Sequence, residues 1–138
     1  MKCTVLSRCL AVAVVLMAVD QGSAEFTKDT LETIEGNLHA RRAVLLDVRE
    51  DVETKKGYVD GAILVPLSLL SEGSETPEFG QVLQQQIPRK AIVYTYCQAG
   101  RRAEQAAEIL IKFGYDVRPL NYGFEDLARE GFVTARPK

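Results

Sequence analysis

Of the usual metal ligands and redox groups, the 138 residues hold one histidine and three cysteines. Cys3 and Cys9 fall within the first ten residues, which leaves Cys97 as the single thiol of everything that follows. One cysteine and one imidazole, His39, cannot build a structural zinc site. Position 100 is glycine, so no second thiol stands where a redox pair needs it. Long apolar runs are equally scarce. Leu10 to Val19 gives ten apolar residues, too few to cross a hydrocarbon layer of about 30 Å. Basic charge is not in excess: 17 Lys and Arg against 19 Asp and Glu leave a net charge of −2, which excludes the broad positive field that collects nucleic acid. Repeats and low-complexity tracts are missing as well.

What the first residues do have is the layout of an export signal. Lys2 and Arg8 precede the apolar stretch, and Asp20-Gln21-Gly22-Ser23-Ala24 places small residues where cleavage after Ala24 is expected. Residues 1–24 therefore read as a signal peptide, with an uncleaved membrane anchor as the competing reading, and 25–138 as the mature chain, periplasmic or secreted. Cys9 lies ahead of the apolar stretch, the wrong place for an acylated cysteine. The mature length, about 114 residues, suits one domain with one core. Cys97 can then make no internal disulfide in an oxidising compartment, so it must be buried or used.

Along the mature chain the pattern alternates. Leu31, Ile34 and Leu38 recur at helical spacing behind Thr27 or Thr30 as a cap, ending at His39, which suits a C-terminal capping role. Ala43–Val48 is an apolar run that fits a strand buried on both faces. Asp51–Lys56 reads as a charged turn, Gly57–Gly61 as a second turn, Ala62–Val65 as a short strand stopped by Pro66, and Leu67–Leu70 as one helical turn before a polar loop. Phe79, Val82 and Leu83 mark a helix that ends at Pro88. A strand over 91–96 precedes a helix carrying Ala103, Ala106, Ala107, Leu110 and Phe113. A strand over 116–120, a short helix from Phe124 to Ala128 and a loose basic tail complete the chain. Short strands alternating with helices predict an α/β domain, its central parallel sheet covered by helices on both faces.

The chemistry concentrates in Tyr94-Thr95-Tyr96-Cys97-Gln98-Ala99-Gly100-Arg101-Arg102-Ala103. Strand, short loop, helix places Cys97 first in the loop, with the free N–H groups of a helix start directed back at it. Those donors, the helix dipole and the charges of Arg101 and Arg102 favour a thiolate, and thus a nucleophile in an anion site. The plainer alternative is an inert core cysteine. Asp47 and Arg49 stand at a strand's carboxyl end, where pocket groups gather. The better account of them is a scaffold: a buried aspartate accepting backbone bonds and an arginine holding a neighbouring loop.

Cys97-Gln98-Ala99-Gly100-Arg101-Arg102 resembles the active-site loop of rhodanese-like sulfurtransferases. Leu46-Asp47-Val48-Arg49-Glu50 and Gly57-Tyr58-Val59-Asp60-Gly61-Ala62-Ile63 resemble that family's other two landmarks, and the likeness is greatest to small exported single-domain members of the phage-shock protein E kind. The resemblance implies a single rhodanese-like domain in which Cys97 is catalytic and Gln98, Ala99, Gly100, Arg101 and Arg102 bind substrate. It also implies thiosulfate as sulfur donor, cyanide or a thiol as acceptor, and no metal or organic cofactor. The expected partners are those small molecules alone, with no nucleic acid, no membrane after signal cleavage, and a monomeric state. Thiosulfate-specific relatives often carry cations directly after the cysteine. Gln98 and Ala99 are neutral, which leaves the donor open. The family usually has a histidine where Tyr58 stands, a departure that bears on packing. Two other readings remain. One is a non-catalytic binding or sulfur-relay module on the same fold. The other is a cysteine phosphatase or arsenate reductase, which needs an arginine six residues after the cysteine, where this chain has Ala103.

Overall fold

The computed structural model describes residues 24–138, so all of the expected signal peptide except Ala24 lies outside the described residues. The elements run α1 (Leu31–His39), β1 (Ala43–Asp47), α2 (Asp51–Thr54), β2 (Tyr58–Val59), β3 (Ile63–Leu64), α3 (Leu67–Gly73), α4 (Phe79–Gln86), β4 (Ile92–Tyr96), α5 (Arg101–Lys112), β5 (Asp116–Pro119), α6 (Phe124–Arg129) and β6 (Thr134–Ala135). A four-stranded sheet in the order β3-β1-β4-β5 is parallel throughout. Its two central strands are the two apolar runs, Ala43–Asp47 and Ile92–Tyr96, as expected of strands with helices on both sides.

Side chains alternate along these strands into two apolar clusters. Leu46, Val48 and Val93 face one way and pack with Leu70 of α3, Phe79 and Leu83 of α4, and Ala103, Ala106, Ala107 and Leu110 of α5. Ala43, Leu45, Tyr94 and Tyr96 face the other way, against Ile34 of α1 and Leu127 of α6. The alanines of α5 let that helix lie close to the sheet, which brings its N-terminus to the carboxyl end of β4.

Three local expectations are corrected. Within the charged turn expected over Asp51–Lys56, Asp51–Thr54 is a short α-helix, because the Glu53 carboxylate takes the Glu50 N–H at 3.0 Å and closes the helix start. The turn expected at Leu67–Leu70 runs on to Gly73. The tail is not loose: β6 pairs antiparallel with β2, Tyr58 opposite Ala135 and Val59 opposite Thr134. Thr30, rather than Thr27, caps α1, its hydroxyl accepting the Thr33 N–H at 3.2 Å.

Candidate active site

β4 stops at Tyr96, and Cys97 follows directly, 1% exposed. Its Sγ accepts the N–H of Gly100 at 3.0 Å. That bond requires the chain to double back within three residues. Gly100 takes φ +92°, where a residue with a β-carbon is strained, and such a carbon would lie 2.9 Å from the ring of Phe26. α5 begins at the next residue, so the N–H groups of its first turn, which have no acceptor inside the helix, sit at the same end of the sheet as the sulfur. Loop donor and dipole together make a pocket for negative charge on sulfur or on an oxyanion beside it.

Several contacts fix the loop from outside. The Phe124 N–H donates to the Cys97 carbonyl at 2.9 Å. Next to it, Gly123 lies so close to the Gln98 carbonyl that a β-carbon would stand 1.9 Å from its oxygen. Thr95 Oγ1 donates to the Ala103 carbonyl at 2.9 Å, holding the first turn of α5 against β4.

Asp47 and Arg49 form the scaffold expected of them. Arg49, 3% exposed, forks onto Asp47 with Nε 3.0 and 3.2 Å and Nη2 2.7 Å from the carboxylate oxygens. Nη2 also donates to the Gly57 carbonyl at 2.8 Å, and the Arg49 N–H to Asp47 Oδ1 at 3.0 Å. Burial disfavours the guanidinium charge, but the hydrogen bonds and charge of Asp47 outweigh it and raise the Arg49 pKa above its ordinary value. The guanidinium lies 4.2 Å from the centre of the Phe124 ring and 5.9 Å from that of Tyr96. Tyr96 accepts the Val59 N–H at 3.0 Å, and burial pushes its phenol far above the usual range, so it stays neutral. The scaffold thus reaches both residues that flank the loop contact, Tyr96 before Cys97 and Phe124 across from it.

The loop's own side chains divide. Gln98, Ala99 and Arg101 are exposed. Arg102 is not a free cation: Nη1 and Nη2 fork onto Glu53 at 2.6 and 2.8 Å. The charge that the sequence offers to the loop at Arg102 is thus taken up by an ion pair with Glu53. Glu53 also caps α2 as described, while Glu50 takes the Ser68 N–H at 3.2 Å and Oγ–H at 2.7 Å. Arg102 therefore ties the start of α5 to α2 and, through Glu50, to α3. The Arg102 hydrogen bonds pull the Glu53 pKa from 4.5 to about 2, and Glu53 in turn holds Arg102 above its ordinary value.

A depressed carboxylate contributes stability that is present above its unfolded pKa and is lost as pH falls through the folded one. Glu53→Gln should accordingly destabilise the protein by roughly 1 kcal/mol at neutral pH, a value in the exposed-pair range because both side chains are about 30% exposed. The gap between wild type and variant should close as pH falls from about 5 to 2. Thermal unfolding across that window checks it. A gap that stays constant would mean the ion pair is not its source.

Four residues escaped the sequence reading: Glu53, Gly123, Phe124 and Phe26. Only Glu53 carried a signal, the Glu50-x-x-Glu53 spacing of a capping arrangement. Among the described residues no group of three or more His, Cys, Asp or Glu is placed to hold a metal ion.

A parallel α/β sheet here delivers one cysteine to the N–H groups of a helix start, an arrangement suited to holding negative charge. Residues 30–130 match the Rhodanese-like domain, and the chain belongs to that family. It is 34% identical over 84 residues to thiosulfate sulfurtransferase PspE of Escherichia coli, covering 60% of this chain and 72% of that protein. It is 33% identical over 78 residues to a putative mitochondrial thiosulfate sulfurtransferase of Schizosaccharomyces pombe, covering 54% of this chain and 55% of the relative. A third relative, the tRNA uridine(34) hydroxylase of Chlamydia pneumoniae, is 33% identical, with 56% of this chain and 24% of the relative covered. The chain thus spans about half the length, or less, of several relatives it matches. Human single-domain sulfurtransferase TSTD1 superposes with a TM-score of 0.61 at 25% identity, over 72% of this chain and 93% of that one. A "rhodanese with anions" from E. coli gives 0.52 at 25% identity, over 69% and 99%.

Proposed function

We propose that the protein is a sulfurtransferase of the small exported PspE type, carrying sulfane sulfur as a persulfide on Cys97. The Cys97 thiolate attacks the outer sulfur of thiosulfate. A new S–S bond forms as the bond to the sulfonate sulfur breaks, and sulfite leaves with that electron pair. Cyanide or a thiolate then attacks the outer sulfur of the persulfide, giving thiocyanate or a new persulfide and restoring the Cys97 thiolate. The observation that carries this reading is the 3.0 Å bond from the Gly100 N–H to Sγ at the start of α5, a donor already placed for negative sulfur. Arg101, exposed beside the loop, attracts the dianionic donor, whereas Arg102 acts through Glu53 to hold the loop's end in place.

The phosphatase reading loses support on the same geometry, since Ala103 is buried at the position where an oxyanion fork is needed. The relay reading differs from the enzyme only in its acceptor, which would be a protein thiol. In our reading residues 1–24 direct export and are removed after Ala24, and the mature chain works as a monomer outside the cytoplasm.

Excess thiosulfate should add one sulfur to the reduced protein on the peptide that contains Cys97, and cyanide should remove it as thiocyanate. Cys97→Ser should do neither. Peptide mass spectrometry localises the sulfur, which matters where Cys3 and Cys9 are still attached. An unmodified Cys97 peptide, with the thiol shown to be reduced beforehand, would sink the proposal.

A further inference from the structure

Phe26 lies four residues before the region matched by the family, yet it touches the loop that carries the nucleophile. A β-carbon built on Gly100 would stand 2.9 Å from Cζ and 3.1 Å from Cε1 of its ring, so the ring edge rests on the very residue whose N–H holds Sγ. The residues that follow it are anchored to the sheet. The Thr27 N–H donates to the Pro119 carbonyl at the end of β5 at 2.8 Å. Two residues further, Asp29 Oδ2 accepts the Tyr94 hydroxyl at 2.6 Å and Arg118 Nη1 at 2.9 Å. The same Tyr94 and Arg118 bonds hold the Asp29 pKa below its ordinary value, so the anchor stays charged at neutral pH.

Phe26 itself is only partly buried. The residues after it, Thr27 and Lys28, line a groove together with Asn121 and Tyr122, and Asn121 also approaches Gly100, its Oδ1 3.8 Å from the built β-carbon. With Cys97 1% exposed, a reagent reaches the sulfur only past the side chains around it, and Phe26 and Asn121 are the two that adjoin Gly100.

We propose that Phe26 is a specificity-determining residue that forms one wall of the approach to Cys97, so that access depends on the size of the reagent. The inference rests on the reading of Cys97 as a reacting nucleophile, in that a small anion is admitted and a bulky acceptor is excluded unless its thiol projects. The pairing of residues 26 and 100 supports it: a ring at one position fits only because the other has no side chain.

The test compares two alkylating reagents on the full chain, iodoacetamide and a bulky N-aryl maleimide. Rates are read on the tryptic peptide spanning residues 91–101, which reports Cys97 separately from Cys3 and Cys9. Phe26→Ala should raise the ratio of the maleimide rate to the iodoacetamide rate by about fivefold, the change given by removing a steric barrier of about 1 kcal/mol. Phe26→Tyr, which keeps the ring, should leave the ratio as in wild type, and Phe26→Leu should fall between. Melting temperatures are measured alongside. Three outcomes overturn the proposal: an unchanged ratio in Phe26→Ala, equal acceleration of both reagents, which means a loosened loop, or a Cys97 inert to both reagents in that variant. If Phe26→Ala unfolds, Phe26→Leu carries the same comparison. Loss of the sulfurtransferase reading is separable, because a Cys97 that never takes sulfur from thiosulfate can still show the size dependence, and one that does can lack it.

Discussion

Gly123→Ala should abolish sulfur loading at Cys97 while leaving the sheet intact. The added methyl would lie 1.9 Å from the Gln98 carbonyl oxygen and 2.8 Å from its carbon, both backbone atoms that no rotamer change can move aside. The overlap can be relieved only by rotating the peptide after Gln98 or by displacing the start of α6. Either movement breaks a bond on which the site depends: the Gly100 N–H to Sγ, or the Phe124 N–H to the Cys97 carbonyl. Overpacking of this kind costs about 3 kcal/mol, enough to displace the loop without unfolding a domain of ordinary stability. Gly36→Ala, in α1, is the control: nothing lies within 4 Å of its β-carbon, and alanine in a helix interior should stabilise by about 0.5 kcal/mol or more. Thiosulfate loading and urea unfolding of both variants measure this. Normal loading in Gly123→Ala would show that the loop tolerates another path.

Asp47→Ala should be the most destabilising substitution outside the apolar core, by about 3–5 kcal/mol, because it strands a guanidinium in the interior. Asp47 is fully buried and Arg49 3% exposed, so water cannot substitute for the lost carboxylate. The backbone N–H of Arg49 loses its acceptor in the same step. Asp47→Asn, which keeps an acceptor oxygen without the charge, should cost less. The double variant Asp47→Ala/Arg49→Met should recover part of the loss, since no charge is then left unpaired. Urea midpoints at constant slope give these differences. A double variant as unstable as the sum of its parts would mean that Arg49 matters for its stacking on Phe124 and its bond to Gly57, and little for its charge.

The sequence was readable where the relevant information is contiguous. Tyr96 to Arg102 contains, in seven residues, the end of a strand, a turn that needs glycine and the start of a helix. The apolar runs of β1 and β4 likewise carry their burial in their composition. It was opaque where a feature exists only through a distant partner. Arg102 and Glu53 are 49 residues apart, and the acidic stretch around Glu53 looks like a solvated turn until Arg102 is seen to fork onto it. β6 is two residues long and has no periodicity to detect; it is a strand because β2 lies opposite. Phe26 gave no signal, for a lone aromatic in an irregular segment has many possible neighbours.

The pairing of β2 with β6 also decides how the molecule loosens. A ladder only two residues long opens at a free-energy cost far below that of global unfolding. Yet the Val59 N–H is bonded not to that ladder but to the Tyr96 hydroxyl at 3.0 Å, on the residue before Cys97. Opening of β6 therefore stops at an amide that belongs, in its opening energy, to the central strand, so this ladder can open many times for each occasion on which Cys97 is disturbed.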